Sequence, residues 1–391
     1  MGKSYEEINR KIQRGEAVVV TAREIIGIAQ EKGIKQAAEY VDVVTTATFG
    51  PMCSSGVFLN FGHSDPPIRM TKTYLNGVEA YSGLAAVDAY LGATQNSQDM
   101  GMEYGGAHVI SDLIERKKIH LKAYSYGTDC YPEREIDTYI DIDSINEAYL
   151  YNPRNVYQNY NAAANSSEKL LYTYMGILNP FIGNVTYSGA GELSPLINDP
   201  YYRTIGVGTR IFIGGSIGYV AWSGTQFKSS APRGENGVPI GPGGTLAVTG
   251  NLKEMDSRFI KPAVFEKYGV SMYMGIGIPI PVLDEDMLRY LCVSDRDIFT
   301  NIIDYGYPSR SRPVIKKVSY AELISGKVEI NGRYVRSSPL SSIRKAREIA
   351  QILKEMVTSG RFTITEPVKT FDNDTKLKSL ERTGKNEDSH R

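Results

Sequence analysis

The chain has 391 residues, of which 41% are hydrophobic and 23% charged, with 44 basic residues balanced by 44 acidic ones and only three cysteines. This is the composition of a soluble globular protein with a large core. The zero formal charge excludes a general basic field for nucleic acid or an anionic membrane. Three thiols exclude a disulfide framework and point to a reducing, cytoplasmic setting, so the expected partner is a small molecule.

In chain order, residues 4–14 predict a short charged helix capped by Ser4, with Glu7 three residues on, and no apolar leader core precedes it. A buried strand is expected over 17–20, a helix over 21–30 and a helical turn over 33–40. A second strand over 41–46 then runs into the loop that holds Cys53. Residues 63–72 are polar, and Asp65-Pro66-Pro67 forces a rigid extended bend. Small residues dominate 77–94, and 105–117 predicts a glycine turn followed by a helix. A strand over 119–126 feeds a second loop, which holds Cys130. The stretch 137–174 is rich in tyrosine and asparagine; its tyrosines line a wet pocket or interface or, the commoner case, pack half-buried at the surface.

Further on, 206–250 is glycine-dense, with strands expected over 209–214, 217–222 and 245–248. The longest apolar stretch, 269–283, is too short to span a bilayer. Asn331-Gly332 between two alternating runs is a type I′ hairpin signal. The clearest helix is 342–359, with Ile343, Ala346, Ile349, Ala350, Leu353 and Met356 in one stripe and Gly360 as its stop. The fold expected is mixed α/β (α+β). An N-terminal lobe (1–200) carries both thiol loops and packs on a glycine-rich β lobe with a C-terminal hairpin–helix–strand unit (201–368). The active site lies between them, and a disordered polar tail (369–391) follows.

Two cysteines stand in glycine-bracketed turns: Cys53 in Thr48-Phe49-Gly50-Pro51-Met52-Cys53-Ser54-Ser55-Gly56, and Cys130 in Tyr126-Gly127-Thr128-Asp129-Cys130-Tyr131-Pro132. Hydroxyls and backbone N–H groups beside a reachable thiol suit sulfur chemistry. A helix opening at Ser54 would favour the Cys53 thiolate further. Asp129 opposes ionisation of Cys130, which fits a resolving or relay thiol better. Cys292, in Leu291-Cys292-Val293, reads as core. No zinc spacing, P-loop, dinucleotide fingerprint or Gly-x-Ser-x-Gly elbow is present. His63, ten residues after Cys53, is equally suited to serving a thiol as acid or base and to a structural hydrogen bond. Arg69 and Lys72 follow in the same polar run and can hold a carboxylate, although solvated surface charge is the default.

The thiol loops, with Val43-Val44-Thr45-Thr46, Phe58-Leu59-Asn60-Phe61-Gly62-His63, Gly105-Gly106-Ala107-His108, Gly214-Gly215-Ser216-Ile217-Gly218-Tyr219 and Gly275-Ile276-Gly277-Ile278-Pro279-Ile280-Pro281, carry a resemblance. The chain resembles the homocysteine biosynthesis family, L-aspartate semialdehyde sulfurtransferases of anaerobic archaea and bacteria, over about residues 3–368. The resemblance implies an enzyme that replaces the aldehyde oxygen of L-aspartate semialdehyde by sulfur, with reduction, to give the methionine precursor L-homocysteine. It places the two functional thiols on Cys53 and Cys130.

In the mechanism this suggests, Cys53 carries sulfur as a persulfide or attacks the aldehyde once sulfide is delivered, and Cys130 relays or resolves. Ser54 or Ser55 stabilises the oxygen and His63 moves protons. Arg69, Lys72 or Arg210 holds the α-carboxylate, and Asp65 or Asp129 the α-ammonium. The donor is sulfide or a persulfide, the electrons are external and of low potential, and a ferredoxin-like donor is an open partner. The C-terminal nucleotide-sensing module of many relatives is expected to be absent, and with it their regulation. Self-association as a homodimer is a base-rate expectation. Two rivals stay open. One is an iron–sulfur-dependent sulfurtransferase with a cluster on Cys53, Cys130 and a third ligand such as Cys292. The other is a non-catalytic, amino-acid-binding regulatory protein.

Overall fold

The computed structural model describes residues 2–309 and 311–380. The chain is mixed α/β, as the sequence implies, and three sheets carry most of it. The largest has ten strands. Its path runs Val19–Thr21, Val43–Pro51, Gly269–Pro281, Arg210–Ile213, Ser216–Ser223, Leu246–Asn251, Glu147–Asn155, Gly56–Asn60 and Asp88–Gly92, with Ile260–Phe265 paired to Gly269–Pro281 off this path. Strands from both sides of position 200 interleave in it, so the sheet has no boundary at the expected lobe division. Local patterning marks where strands are but carries no information on which strands pair across long sequence separations.

This order dictates the shape of the site. Val43–Pro51 and Gly56–Asn60 lie six steps apart along the sheet, yet only residues 52–55 join them. Six steps of about 4.8 Å would separate them by roughly 29 Å in a flat sheet. Four residues bridge at most about 18 Å. The sheet therefore curls until the two strands face each other, and the Cys53 loop closes the gap. Met52 N–H donates to Met272 O (2.7 Å) on one side, and Asn152 Nδ2 donates to Ser55 Oγ (2.7 Å) on the other.

Val43–Pro51 and Gly269–Pro281 are buried along nearly their whole length. One face looks into the curl. Against the other packs the helix Ile343–Thr358, through Ala346, Ile349, Ala350 and Leu353. Burial on both faces explains the near-continuous apolar run at 269–283. Each fully buried Ile or Leu there contributes about 1.5–3 kcal/mol. The helix starts one residue later than expected, because Ser342 caps it by accepting from Lys345 N–H.

The second sheet, of six strands, includes the hairpin Ile119–Tyr124 and Glu135–Ile140, whose connecting loop holds Cys130. The third pairs Ala162–Ala164 with Phe299–Asp304 and Asn184–Tyr187. It ends in the hairpin Lys327–Ile330 and Arg333–Pro339, where Asn331 and Gly332 both take positive φ, as a type I′ turn requires. Order extends past the expected start of the tail at 369. Lys369 bridges to Val207, Phe371 is buried between Tyr202 and Phe227, and Ser229 Oγ donates to Asp372 O. Apolar Phe371 anchors a segment whose charge alone argues for disorder, and residues 381–391 lie outside the described residues. Among the described residues, no helix is long and apolar enough to cross a membrane.

Candidate active site around Cys53

The closing loop presents Cys53 to a cavity of about 300 Å³. Its backbone is held from both strands. Ser55 turns inward, donating to Met52 O (2.8 Å) and accepting from Asn152, while Ala93 N–H donates to Ser55 O (2.8 Å). Ser54 Oγ donates to Asn152 Oδ1 (3.2 Å) and Arg154 O (3.3 Å). Gly56 has to be glycine: a Cβ there would lie 2.2 Å from the Tyr90 hydroxyl and 2.8 Å from Leu91 O. After Ser55 the chain enters the strand Gly56–Asn60, so the helix anticipated at Ser54 does not form and no helix dipole acts on the thiol. The partner of Cys53 Sγ is the Ser271 hydroxyl at 3.1 Å, offered from the long central strand.

The remaining walls come from the tyrosine-rich segment and its neighbours. Tyr157, Tyr160, Tyr174 and Tyr268 surround the thiol, with Gln226, Ser188 and Ser341 between them. Burial, with the nearby thiol adding to it, pushes the Tyr268 and Tyr273 phenols up; burial takes Tyr157 to about 12. These phenols are neutral donors at physiological pH. Arg154 is the one cation lining the cavity among the described residues, and no carboxylate accompanies it. Its backbone is fixed by the Asn152 side chain (Arg154 N–H to Oδ1, 2.7 Å), and its buried Nε has no hydrogen-bond partner. A guanidinium lining a cavity that also holds a thiol has the charge and donors to take a carboxylate.

The other residues singled out by sequence stand elsewhere. Cys130 is exposed at the tip of its hairpin, with Thr128 Oγ1 at 3.5 Å, and Asp129 beside it is exposed too. The polar run folds against that hairpin. The His63 ring stacks near Tyr131 (centroids 6.1 Å apart), Arg69 Nη1 donates to the Tyr126 hydroxyl (3.2 Å), and Glu133 N–H donates to Pro67 O (3.3 Å). Asp65 and Lys72 are exposed on the same stretch. None of these residues lines the Cys53 cavity, and Ser55 is turned away from it. Arg210 is spent on structure: it donates to Thr363 Oγ1 (2.9 Å) and lies over the Phe362 ring.

Cys292 caps the helix Glu285–Leu291 and packs against the main core, where burial pushes its thiol up to about 11. Among the described residues, no group of three or more His, Cys, Asp or Glu side chains gathers as a metal site would. The three thiols as arranged, one in the cavity, one exposed at a hairpin tip and one packed against the core, do not form the ligand set of a shared cluster.

Arg154, Tyr268 and Ser271 are the lining and partner residues that local patterning did not single out, whereas Tyr157, Tyr160 and Tyr174 belong to the tyrosine-rich stretch. For that stretch, which also contains Arg154, a wet pocket is one of the two readings the sequence admits. Ser271 lies inside an apolar run whose pattern speaks only of burial.

Residues 17–364 match the family described as "Homocysteine biosynthesis enzyme, sulfur-incorporation". The L-aspartate semialdehyde sulfurtransferase of Methanosarcina acetivorans is 55% identical over 381 residues, covering 97% of this chain and 74% of the relative. The protein of the same name from Methanocaldococcus jannaschii is 52% identical over 384 residues, covering 94% of this chain and 73% of the relative. An uncharacterized protein of Methanothermobacter thermautotrophicus is 30% identical over 341 residues, covering 84% and 73%. No solved structure matches the chain.

Proposed function

The chain belongs to the family of homocysteine biosynthesis enzymes that incorporate sulfur, and we propose that it converts L-aspartate semialdehyde to L-homocysteine in the Cys53 cavity. The observation that carries this reading is a reachable thiol and, as the one cation among the described lining residues, the Arg154 side chain in one small, phenol-lined cavity. Arg154 takes the α-carboxylate and so presents the aldehyde carbon to the Cys53 loop. With hydrosulfide as donor the reaction balances as R–CHO + HS⁻ + 2e⁻ + 3H⁺ → R–CH₂SH + H₂O. Delivered instead as a Cys53 persulfide, the sulfur needs two further electrons to cleave the S–S bond. In either case the electrons come from an external low-potential reductant.

With a persulfide donor Cys53 is the sulfur carrier: its thiolate takes the donor's outer sulfur and the donor's thiol leaves. With hydrosulfide it carries no sulfur: its thiolate adds to the aldehyde carbon, hydrosulfide displaces the resulting hydroxyl as water, and the external electron pair cleaves the Cys53 S–C bond to release homocysteine and the thiolate. The Cys53 thiolate accepts from Ser271, which fixes the direction from which sulfur meets the carbonyl carbon, and neighbouring phenols donate to the developing oxyanion. Cys130 serves as the exchange thiol for an external donor. A direct disulfide with Cys53 would require the hairpin to approach the cavity.

Anaerobic protein with L-aspartate semialdehyde, sulfide and a low-potential reductant should yield homocysteine, quantified by mass spectrometry. Cys53→Ser should yield none. Product from Cys53→Ser would take Cys53 out of the chemistry, and full activity of Cys130→Ser would remove Cys130 from the mechanism.

A further inference from the structure

Behind the tyrosine wall lies a second cavity of about 510 Å³. Tyr157, Tyr160, Tyr174 and Gln226 line both cavities, so the wall is shared. Tyr305, Lys228 and Arg312 line only the second one. Three phenols form a continuous hydrogen-bonded chain through the wall: Tyr160 Oη to Tyr174 Oη is 2.9 Å, and Tyr174 Oη to Tyr305 Oη is 2.7 Å. Either atom of each pair can be the donor, so the chain can be polarised in either direction. The distances are those of ordinary O–H···O bonds. The Arg312 guanidinium sits 4.1 Å over the Tyr305 ring.

Packing alone does not call for this arrangement. Phenylalanine would fill the same volume without burying three hydroxyls, and each buried hydroxyl costs free energy unless it is bonded. Linked hydroxyls between two cavities offer something rings do not, a path for a proton. A phenol can take a proton on its lone pair while giving its own to the next oxygen. Burial, with Tyr174 adding to it, pushes the Tyr160 and Tyr305 phenols up, so the hydroxyls keep the protons that such a shuttle needs at rest.

We propose that Tyr305, Tyr174 and Tyr160 relay protons from the second cavity to the Cys53 cavity during sulfur incorporation. This rests on the functional reading above, in which three protons are consumed for each hydrosulfide and aldehyde. With substrate filling the Cys53 cavity, protons entering by the same mouth are blocked, and the relay supplies them from behind. Tyr160 starts the relay by giving its proton toward the Cys53 cavity, and solvent in the second cavity reprotonates Tyr305 at the end of it. The proton of Tyr160 passes to the departing carbonyl oxygen, which leaves as water; Tyr174 then gives its proton to Tyr160, and Tyr305 gives its own to Tyr174. Each phenol ends neutral after its hydroxyl turns back. The electrons take another route, because a neutral phenol does not accept low-potential electrons. The Arg312 charge over Tyr305 favours any transient phenolate at the entry point.

The test is Tyr305→Phe, which keeps the ring and removes a hydroxyl that does not line the Cys53 cavity, with Tyr174→Phe as a second variant should the first fold poorly. Turnover to homocysteine should fall by about 10²-fold, the low end for positioned proton transfer. The solvent deuterium isotope effect should rise, while alkylation of Cys53 by iodoacetamide and the melting temperature stay at wild-type values. A purely structural role would move the last two readouts and leave the isotope effect unchanged, which would overturn the relay. So would turnover within about tenfold of wild type. Wild-type protein that makes no homocysteine would strike down the functional reading and the relay with it, whereas an unimpaired Tyr305→Phe strikes down the relay alone.

Discussion

Replacing Arg154 by Gln removes the one cationic side chain lining the Cys53 cavity among the described residues. The change should leave the fold intact. Arg154 is held through its backbone, by the Asn152 side-chain Oδ1 on its N–H and the Ser54 hydroxyl on its C=O, and Gln keeps both bonds. The guanidinium Nε has no protein partner to lose. A charge-assisted hydrogen bond to a substrate carboxylate contributes about 1.5–3 kcal/mol. Since 1.4 kcal/mol is a factor of about ten, KM for L-aspartate semialdehyde should rise by roughly 10- to 10²-fold. The effect should fall mainly on KM, because the carboxylate is gripped equally before and during the chemistry. Arg154→Lys should recover only part of it, since an ammonium lacks the planar fork. The assay is homocysteine formation against substrate concentration, repeated with a simple aldehyde that has no carboxylate, for which wild type and variant should coincide. A KM for the semialdehyde within about threefold of wild type, under 0.7 kcal/mol, would refute the assignment of Arg154 to the carboxylate.

Gly56→Ala should abolish activity and lower stability by about 1–3 kcal/mol, because the added methyl meets Leu91 O as well as the Tyr90 hydroxyl, and the Cys53 loop has to shift; chemical denaturation and thiol alkylation read both effects. Asp42 is buried, which by itself raises its pKa, but hydrogen bonds from Lys11, the Val18 N–H and Lys3 hold it below the usual carboxylate range. A lowered folded pKa means that its contribution is complete above the unfolded value of about 3.9 and is lost as pH falls through the folded one. Asp42→Ala should cost about 3–5 kcal/mol at neutral pH, and the gap to wild type in urea midpoints should narrow as acid protonates Asp42. A gap that stays constant down to the acid limit would contradict the ion-pair account.

Sequence alone determined the elements whose signals are local. Ser4 announces its helix because a cap acts within one turn, the apolar stripe announces the C-terminal helix because its period is local, and Asn331-Gly332 announces its hairpin because positive φ is a property of two residues. The thiol at 53 was legible for the same reason: glycines, hydroxyls and Cys crowd into nine positions. The residues around it were not. His63, Arg69 and Lys72 are near Cys53 in the chain but fold onto the Cys130 hairpin, whereas Arg154, Tyr174 and Ser271 reach Cys53 from up to 218 positions away. Only the tertiary structure decided that, through the pairing order of the great sheet, which curls until the strands before and after Cys53 face each other across its loop. Strand pairing is chosen by the burial of whole faces and by backbone hydrogen bonds common to all residues. The neighbours of the thiol are therefore set by topology, and no short stretch of sequence encodes it.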